Sequence, residues 1–398
     1  MSSTLLDKPG KERRQGWLLL AGVLLLAATL RAPITSLGPV LLEVQDALNI
    51  NASTAGLLHA LPLLFFAVIS LVAPALGRRL GIAGAIWFAL VLISAGTVIR
   101  SLPVTSFIWV GTATLSSGIA VCNVLLPGYV KQQFGEKGPS VIGLYVASMA
   151  ILAGVATGIA VPISQVPGLD WRWSIGCWAL PALLALVLWL PQLRGKPQAA
   201  PMSSQSKPSV SPWRSGKGWQ VALFFAAHSL VFYCVIDWYT AYAASGGVSP
   251  GNAGLLLLVY QIVSTAANII TGPMIRRMKS QALMGFVCGV VMLIGACGLL
   301  ALPSYALLWI VLLGLGAGVS MVMSIALFGL RTQSPDQAAR LSGMAQFVGY
   351  TGAGVGLMVV GFIHELTSNW EQPLSVMIFA SVAVIVFATA AGRNGYIK

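Results

Sequence analysis

The stretch WLLLAGVLLLAATLRAPITSLG, residues 17–38, has the length and apolar character of a membrane-spanning helix. From Trp17 to Leu30 the stretch carries no charge, and then a single arginine, Arg31, stands inside it. About 20 predominantly apolar residues are enough to cross the hydrocarbon of a bilayer. Lys8, Lys11, Arg13 and Arg14 precede the run, as they would in a secretory signal. The apolar run outlasts a signal core, however, and no small-residue cleavage site leads into a soluble domain. The stretch reads as a retained first helix.

The same pattern repeats along the rest of the chain. Apolar runs predict helices at 17–38, 53–76, 82–101, 105–130, 138–164, 171–192, 218–243, 252–275, 281–301, 304–330, 338–364 and 372–392. The composition agrees: 57% of residues are hydrophobic, 8% are charged and mean hydropathy is +0.86. Soluble domains carry roughly 25% charged residues. The fold class expected is an all-α integral membrane protein of twelve transmembrane helices. The net charge of +13 does not point to nucleic acid, because the basic residues sit in short gaps between apolar runs. With both termini cytoplasmic, 20 of the 23 Lys and Arg residues fall in inner segments and only Arg100 and Arg172 in outer ones, leaving Arg31 within the membrane. That bias matches the positive-inside rule and predicts a multi-pass protein of the bacterial inner membrane.

The polar stretch from Arg194 to Gly216, rich in Pro, Ser, Gln and Lys, reads as a cytoplasmic linker. It divides the chain into a six-helix bundle at 1–193, a linker at 194–217 and a second bundle at 218–398. The halves echo each other at an offset near 200. Pro74-Ala-Leu-Gly-Arg78-Arg79 answers to Pro273-Met-Ile-Arg276-Arg277, and Gly143-Leu-Tyr145 to Gly343-Met-Ala. Two pseudo-symmetric bundles with a site between them is the plan of many transporters.

Few residues in the spans carry chemistry. Arg31 lies about 21 Å along the first helix from Trp17, where an arginine costs at least ~2.5 kcal/mol. It needs a wet cavity or a partner, such as a helix carbonyl or Asp237, and Thr35 follows it one turn later. Asp237 is the only acid inside a predicted span, with Tyr233 one turn before it. Acids at such depth are the usual proton carriers of transporters, and the alternative is solvation at the outer end of its helix. His228 falls on the opposite face by the 100° step, where a packed, hydrogen-bonded histidine is the simpler reading. Polar stripes run along the eighth helix (Gln261, Ser264, Thr265, Asn268), the fourth (Thr112, Ser116, Asn123), the fifth (Tyr145, Met149) and the eleventh (Ser342, Gln346, Tyr350). Each could equally glue helices together. Four on different helices favour a shared cavity.

Other chemistry is not supported. The five cysteines lie in apolar runs with no CxxC spacing, and no phosphate-binding loop, HExxH or GxSxG occurs. No cofactor and no metal is expected, and a membrane enzyme lacks its paired acids or nucleophile–base pair. Glu43, Asp46, Glu365 and Glu371 fall in outer segments as solvated surface acids.

Several stretches together resemble a known family. They are Thr29-Leu-Arg31-Ala-Pro-Ile-Thr-Ser-Leu-Gly-Pro39, Val124-Leu-Leu-Pro127-Gly-Tyr-Val-Lys131, Trp178-Ala-Leu-Pro181 with Leu188-Trp-Leu-Pro191, and Leu330-Arg331 through Arg340 to Gln346-Phe-Val-Gly-Tyr350. The chain resembles the major facilitator superfamily in its branch of cyanate and 2-nitroimidazole transporters, on the 2-nitroimidazole side. The resemblance implies alternating access without ATP. It implies a substrate role for the first-helix arginine, Arg31, and a gate role for the basic loop Gly77-Arg78-Arg79-Leu80-Gly81, which lacks the superfamily's usual Asp. Asp237 replaces the apolar or small residue expected there.

The function expected is a secondary transporter, not an enzyme. It would work as a monomer in lipid on a small polar, anionic or nitro-aromatic solute, with protons as the candidate coupling ion. Its expected substrate residues are Arg31, Thr35, Asn123, Tyr145, Met149, Tyr233, Gln261, Thr265, Gln346 and Tyr350. Asp237 and His228 are the proton-coupling candidates, and Arg78, Arg79, Arg276 and Arg277 the gate. Export of 2-nitroimidazole-like compounds is the first reading. Uptake of a cyanate-like anion and a sensor without flux are the alternatives.

Overall fold

The computed structural model describes residues 8–50, 52–193 and 210–398, all helix and loop with no strand among them. Long helices dominate: α1 Lys8–Thr29, α4 Ala52–Leu80, α5 Ile82–Ile99, α6 Thr105–Phe134, α7 Gly138–Ser164, α9 Ala179–Leu193, α10 Gly216–Ser245, α11 Pro250–Arg277, α12 Ala282–Ala301, α13 Ala306–Leu330, α14 Pro335–Thr367 and α15 Glu371–Gly392. Short helices α2 Ala32–Thr35, α3 Leu41–Leu48 and α8 Trp171–Gly176 lie between them. Eleven stretches are long and apolar enough to cross a membrane. One of these, Thr105–Ser164, holds 60 residues, or about 90 Å of helix at 1.5 Å per residue. It contains α6 and α7, so the chain crosses twelve times, as the apolar runs predict.

Two expected helices are broken. The first stops at Thr29 and resumes at Ala32, with Arg31 at φ −121° in the gap. Pro33 has no N–H, and its ring opposes the carbonyl four residues back, that of Thr29. The sixth breaks between α8 and α9, and Pro181 stands in the same relation to Cys177. Irregular backbone at such depth is tolerated where protein or a cavity covers it. The other helices overrun the apolar runs by a turn or less at most ends. Arg78 and Arg79 close α4, and Arg276 and Arg277 close α11; cations suit a helix C-terminus. Serine caps and a following proline start α11 and α14, with Ser249 accepting from Asn252 N–H and Ser334 from Gln337 N–H.

Inside the first bundle α5 packs on α6 and α9, and α1 on α7 and α9. Inside the second, α12 packs on α13 and α15, and α10 on α14 and α15. The bundles meet chiefly through α4 against α14 and α7 against α11. These two contacts interchange when the halves are exchanged, the relation expected of a duplicated plan. Of the linker expected at 194–217, residues 194–209 lie outside the described residues. The remainder forms a 3₁₀ turn at Pro212–Arg214 packed on α10 and α14, and α10 already begins at Gly216.

Candidate functional site

A cavity of about 470 Å³ lies where the bundles meet. The first half contributes Leu30 and Arg31 from the break after α1, Phe66 from α4, Asn123 and Leu126 from α6, and Tyr145 and Met149 from α7. The second contributes Phe225 from α10, Met321 and Ile325 from α13, and Gln346 and Tyr350 from α14. Most small-molecule sites have this mixture of apolar wall and few polar groups. A second cavity, of about 360 Å³, is lined by Trp238, Trp370 and apolar neighbours of the second half alone, so it does not face both bundles.

Arg31 defines the electrostatics. Among the described residues its guanidinium makes no ion pair and donates no hydrogen bond; it lies over the ring of Phe232, 5.7 Å from the centroid. The expected alternative partner, Asp237, makes no ion pair with it. An arginine at this depth with its donors unused presents a fork to whatever electron-rich group enters. The helix break explains the placement: with α1 ended at Thr29, Arg31 leaves the regular helix surface.

The aromatic wall stands beside it. Tyr350 packs on Phe66 at 5.2 Å between ring centroids and meets Phe225 edge-on at 5.8 Å. Gln346 crosses the bundle interface, its Nε2 donating to the Asn123 carbonyl at 2.9 Å and to Ser342 Oγ at 2.9 Å. Its Oε1 is buried and accepts nothing.

Six of the ten expected substrate residues therefore line one cavity: Arg31, Asn123, Tyr145, Met149, Gln346 and Tyr350. Tyr233 does not line it; its ring meets that of Phe232, the ring beneath Arg31, edge-on at 5.4 Å. Thr35 is elsewhere, with its hydroxyl donating to the Ala153 carbonyl at 3.2 Å. Gln261 and Thr265 do not line the cavity either, and Thr265 donates to the Gln261 carbonyl at 2.7 Å. On that helix, the Ser264 carbonyl is in close approach to Gly318 of α13 and the Asn268 carbonyl to Gly143 of α7. The α11 stripe thus meets protein rather than this cavity. Asp237 is exposed, one turn beyond Tyr233. His228 is 2% exposed, packed against Phe224 and Phe225, and neither ring nitrogen has a partner. The expectation of a hydrogen-bonded histidine is corrected: aromatic rings fill its surroundings and leave no acceptor in reach. Phe66 and Phe225 escaped the sequence reading because phenylalanine in an apolar helix carries no periodic signal.

The end of the bundle carrying the paired arginines is tied shut. Lys131 of α6 donates across the interface to the Gly329 carbonyl at 2.6 Å and to the Thr332 carbonyl and hydroxyl. Arg78 approaches Asp336 at 3.5 Å, and Arg340 completes that pair at 2.8 Å. Arg276 reaches Ser140 at 3.4 Å, while Arg79 and Arg277 are exposed and unpaired among the described residues. The carboxylate missing from the loop after α4 is thus met by Asp336, from the first turn of α14. The hydrogen bonds from Lys131, Arg276 and Gln346 join the two halves at this basic end and beside the cavity. Half-exposed ion pairs contribute about 0.2–1 kcal/mol, so Asp336→Asn is expected to change initial flux by no more than about fivefold. Lys131→Met removes three bonds from a partly buried amine and is expected to cost about tenfold. Flux rates in the same vesicles rank the two, and equal effects would contradict the assignment.

The match to known proteins covers the whole architecture. Residues 19–357 match the model of the Major Facilitator Superfamily. The chain is 37% identical to the 2-nitroimidazole transporter of Escherichia coli (strain K12) over 380 residues, 96% of each chain. It is 26% identical to the cyanate transport protein CynX of the same organism, over 88% of this chain and 91% of that one. Among solved structures, the proton:xylose symporter XylE superposes with a TM-score of 0.76 at 11% identity, covering 93% of this chain and 94% of that one. At that identity the likeness concerns the fold alone.

Proposed function

The chain belongs to the major facilitator superfamily, and from that premise we propose that it is a secondary transporter for a small planar solute bearing a nitro or anionic group. The observation that carries the reading is the unpaired Arg31 fork in a cavity shared by both halves. Phe66, Phe225 and Tyr350 supply flat apolar surface beside it, which suits an aromatic ring better than a sugar. The 2-nitroimidazole relative supports the nitro-aromatic class over a cyanate-like ion.

The 20 basic residues of the inner segments would place the tied end at the cytoplasm of the bacterial inner membrane. The state described is then the one shut toward the cytoplasm, with 1–193 and 218–398 as rocking units and 194–217 as linker. The chain acts as a monomer, since one chain encloses the whole cavity.

Asp237 is the candidate proton carrier and His228 is not, because His228 is sealed behind aromatic rings while Asp237 is exposed, one turn beyond Tyr233. Sealed vesicles test both parts. Efflux of 2-nitroimidazole is expected to accelerate with an opposing proton gradient, and Asp237→Asn to transport at one rate with or without it. Gradient-driven flux surviving in Asp237→Asn would remove that residue from coupling. Binding of 2-nitroimidazole without any flux would favour the sensor reading.

A further inference from the structure

Among the polar groups that line the cavity, one charged donor and one buried acceptor are left unused by the protein. Arg31 is the donor. The acceptor is Gln346 Oε1, buried and without a partner. The orientation of this amide follows from its neighbours. Nε2 faces the Asn123 backbone carbonyl at 2.9 Å, which can only accept, so the nitrogen is fixed there and the oxygen is left over. The residue is 3% exposed, so water does little to satisfy that oxygen. A buried acceptor without a partner costs about 1–3 kcal/mol. Asn123 also lines the cavity, but it is partly exposed, and water can serve its amide. An entering hydrogen-bond donor therefore gains more at Gln346.

We infer that the transported solute carries a hydrogen-bond donor as well as an electron-rich group, and that Gln346 Oε1 reads the donor while Arg31 reads the electron-rich end. This rests on the reading of the cavity as the solute site and narrows it: the substrate class is a flat ring with an acceptor such as nitro or carboxylate and a ring N–H or hydroxyl elsewhere. Gln346 also spans the halves through Asn123, so a solute held by its amide oxygen sits on a residue that already bridges the two bundles.

Three probes separate the donor from bulk. They are 2-nitroimidazole, 4-methyl-2-nitroimidazole, which keeps the ring N–H, and 1-methyl-2-nitroimidazole, which has the same added methyl and no N–H. Binding is measured by calorimetry on the purified full chain, at a pH below the ionisation of the ring N–H. The first two are expected to bind within about threefold of each other and the third about tenfold more weakly. In Gln346→Leu the three should converge to within about twofold, because the variant has lost the buried acceptor. Equal binding of all three to the wild type overturns the inference while leaving the aromatic-solute reading intact. So does equal weakening by both methyl positions, which reports bulk. If Gln346→Leu fails to reach the membrane, the wild-type comparison decides alone. Failure of all three to bind the wild type refutes the solute reading itself, and the role of Gln346 falls with it.

Discussion

Arg31→Ala is expected to abolish transport while leaving the chain in the membrane at undiminished abundance. Both halves of that result have physical grounds. A charge-assisted hydrogen bond contributes about 1.5–3 kcal/mol, and a guanidinium can make two to one nitro or carboxylate group. At 1.4 kcal/mol per factor of ten, affinity should fall at least about a hundredfold. Insertion moves the other way. An arginine at the middle of a span opposes insertion by roughly 2.5 kcal/mol, and Arg31 recovers none of this through an ion pair or donated hydrogen bond among the described residues. Alanine should therefore leave the fold at least as stable. Arg31→Lys keeps the charge and loses the fork, so it should sit between, about tenfold below wild type. Flux and membrane abundance are read from the same vesicles. Undiminished flux in Arg31→Ala would remove the residue from the mechanism, whereas lost abundance would make its role structural.

The same arginine shows what a sequence reveals and what it conceals. Its cost in lipid is legible from one letter inside an apolar run, and so are the twelve crossings. Asn123, Tyr145, Met149, Gln346 and Tyr350 were also legible as polar or soft groups on helix faces, and all reach the cavity. The eighth-helix stripe obeys the same spacing and does not, because periodicity gives a face and not the neighbour it meets. There Ser264 and Asn268 lie against α13 and α7. The breaks at Arg31 and after Gly176 were hidden for another reason. Pro62, Pro127 and Pro273 lie inside unbroken helices, so proline alone does not announce a break. Asp336 was missed as a partner of the paired arginines because Arg78 is more than 250 residues away in the other half.

The repeat seen in the sequence has a mechanical meaning, and it leads to the second large effect. Gly143 and Gly343 open corresponding helices of the two halves, and each lies where backbones of opposite bundles nearly touch. A Cβ on Gly143 would stand 2.5 Å from the Asn268 carbonyl, and one on Gly343 would stand 2.5 Å from the Ser70 carbonyl. Neither obstacle is the end of a flexible side chain, so the helices themselves must separate. Overpacking of this kind costs about 1–3 kcal/mol, and it acts only in the state shut at the basic end, where these helices meet. By population-shift arithmetic that is roughly a 5- to 150-fold loss of that state. Gly143→Leu and Gly343→Leu are each expected to cut flux at least about fivefold and to raise the alkylation rate of a cysteine introduced by Ser140→Cys, near the same contact. Gly158→Ala is the control, since nothing lies within 4 Å of a Cβ there, and flux should not change. Because the two close approaches interchange with the halves, the two leucine variants should act alike. Normal flux in both would mean that the bundles need not approach this closely during transport, and slow flux with unchanged alkylation would place the damage inside a bundle rather than between them.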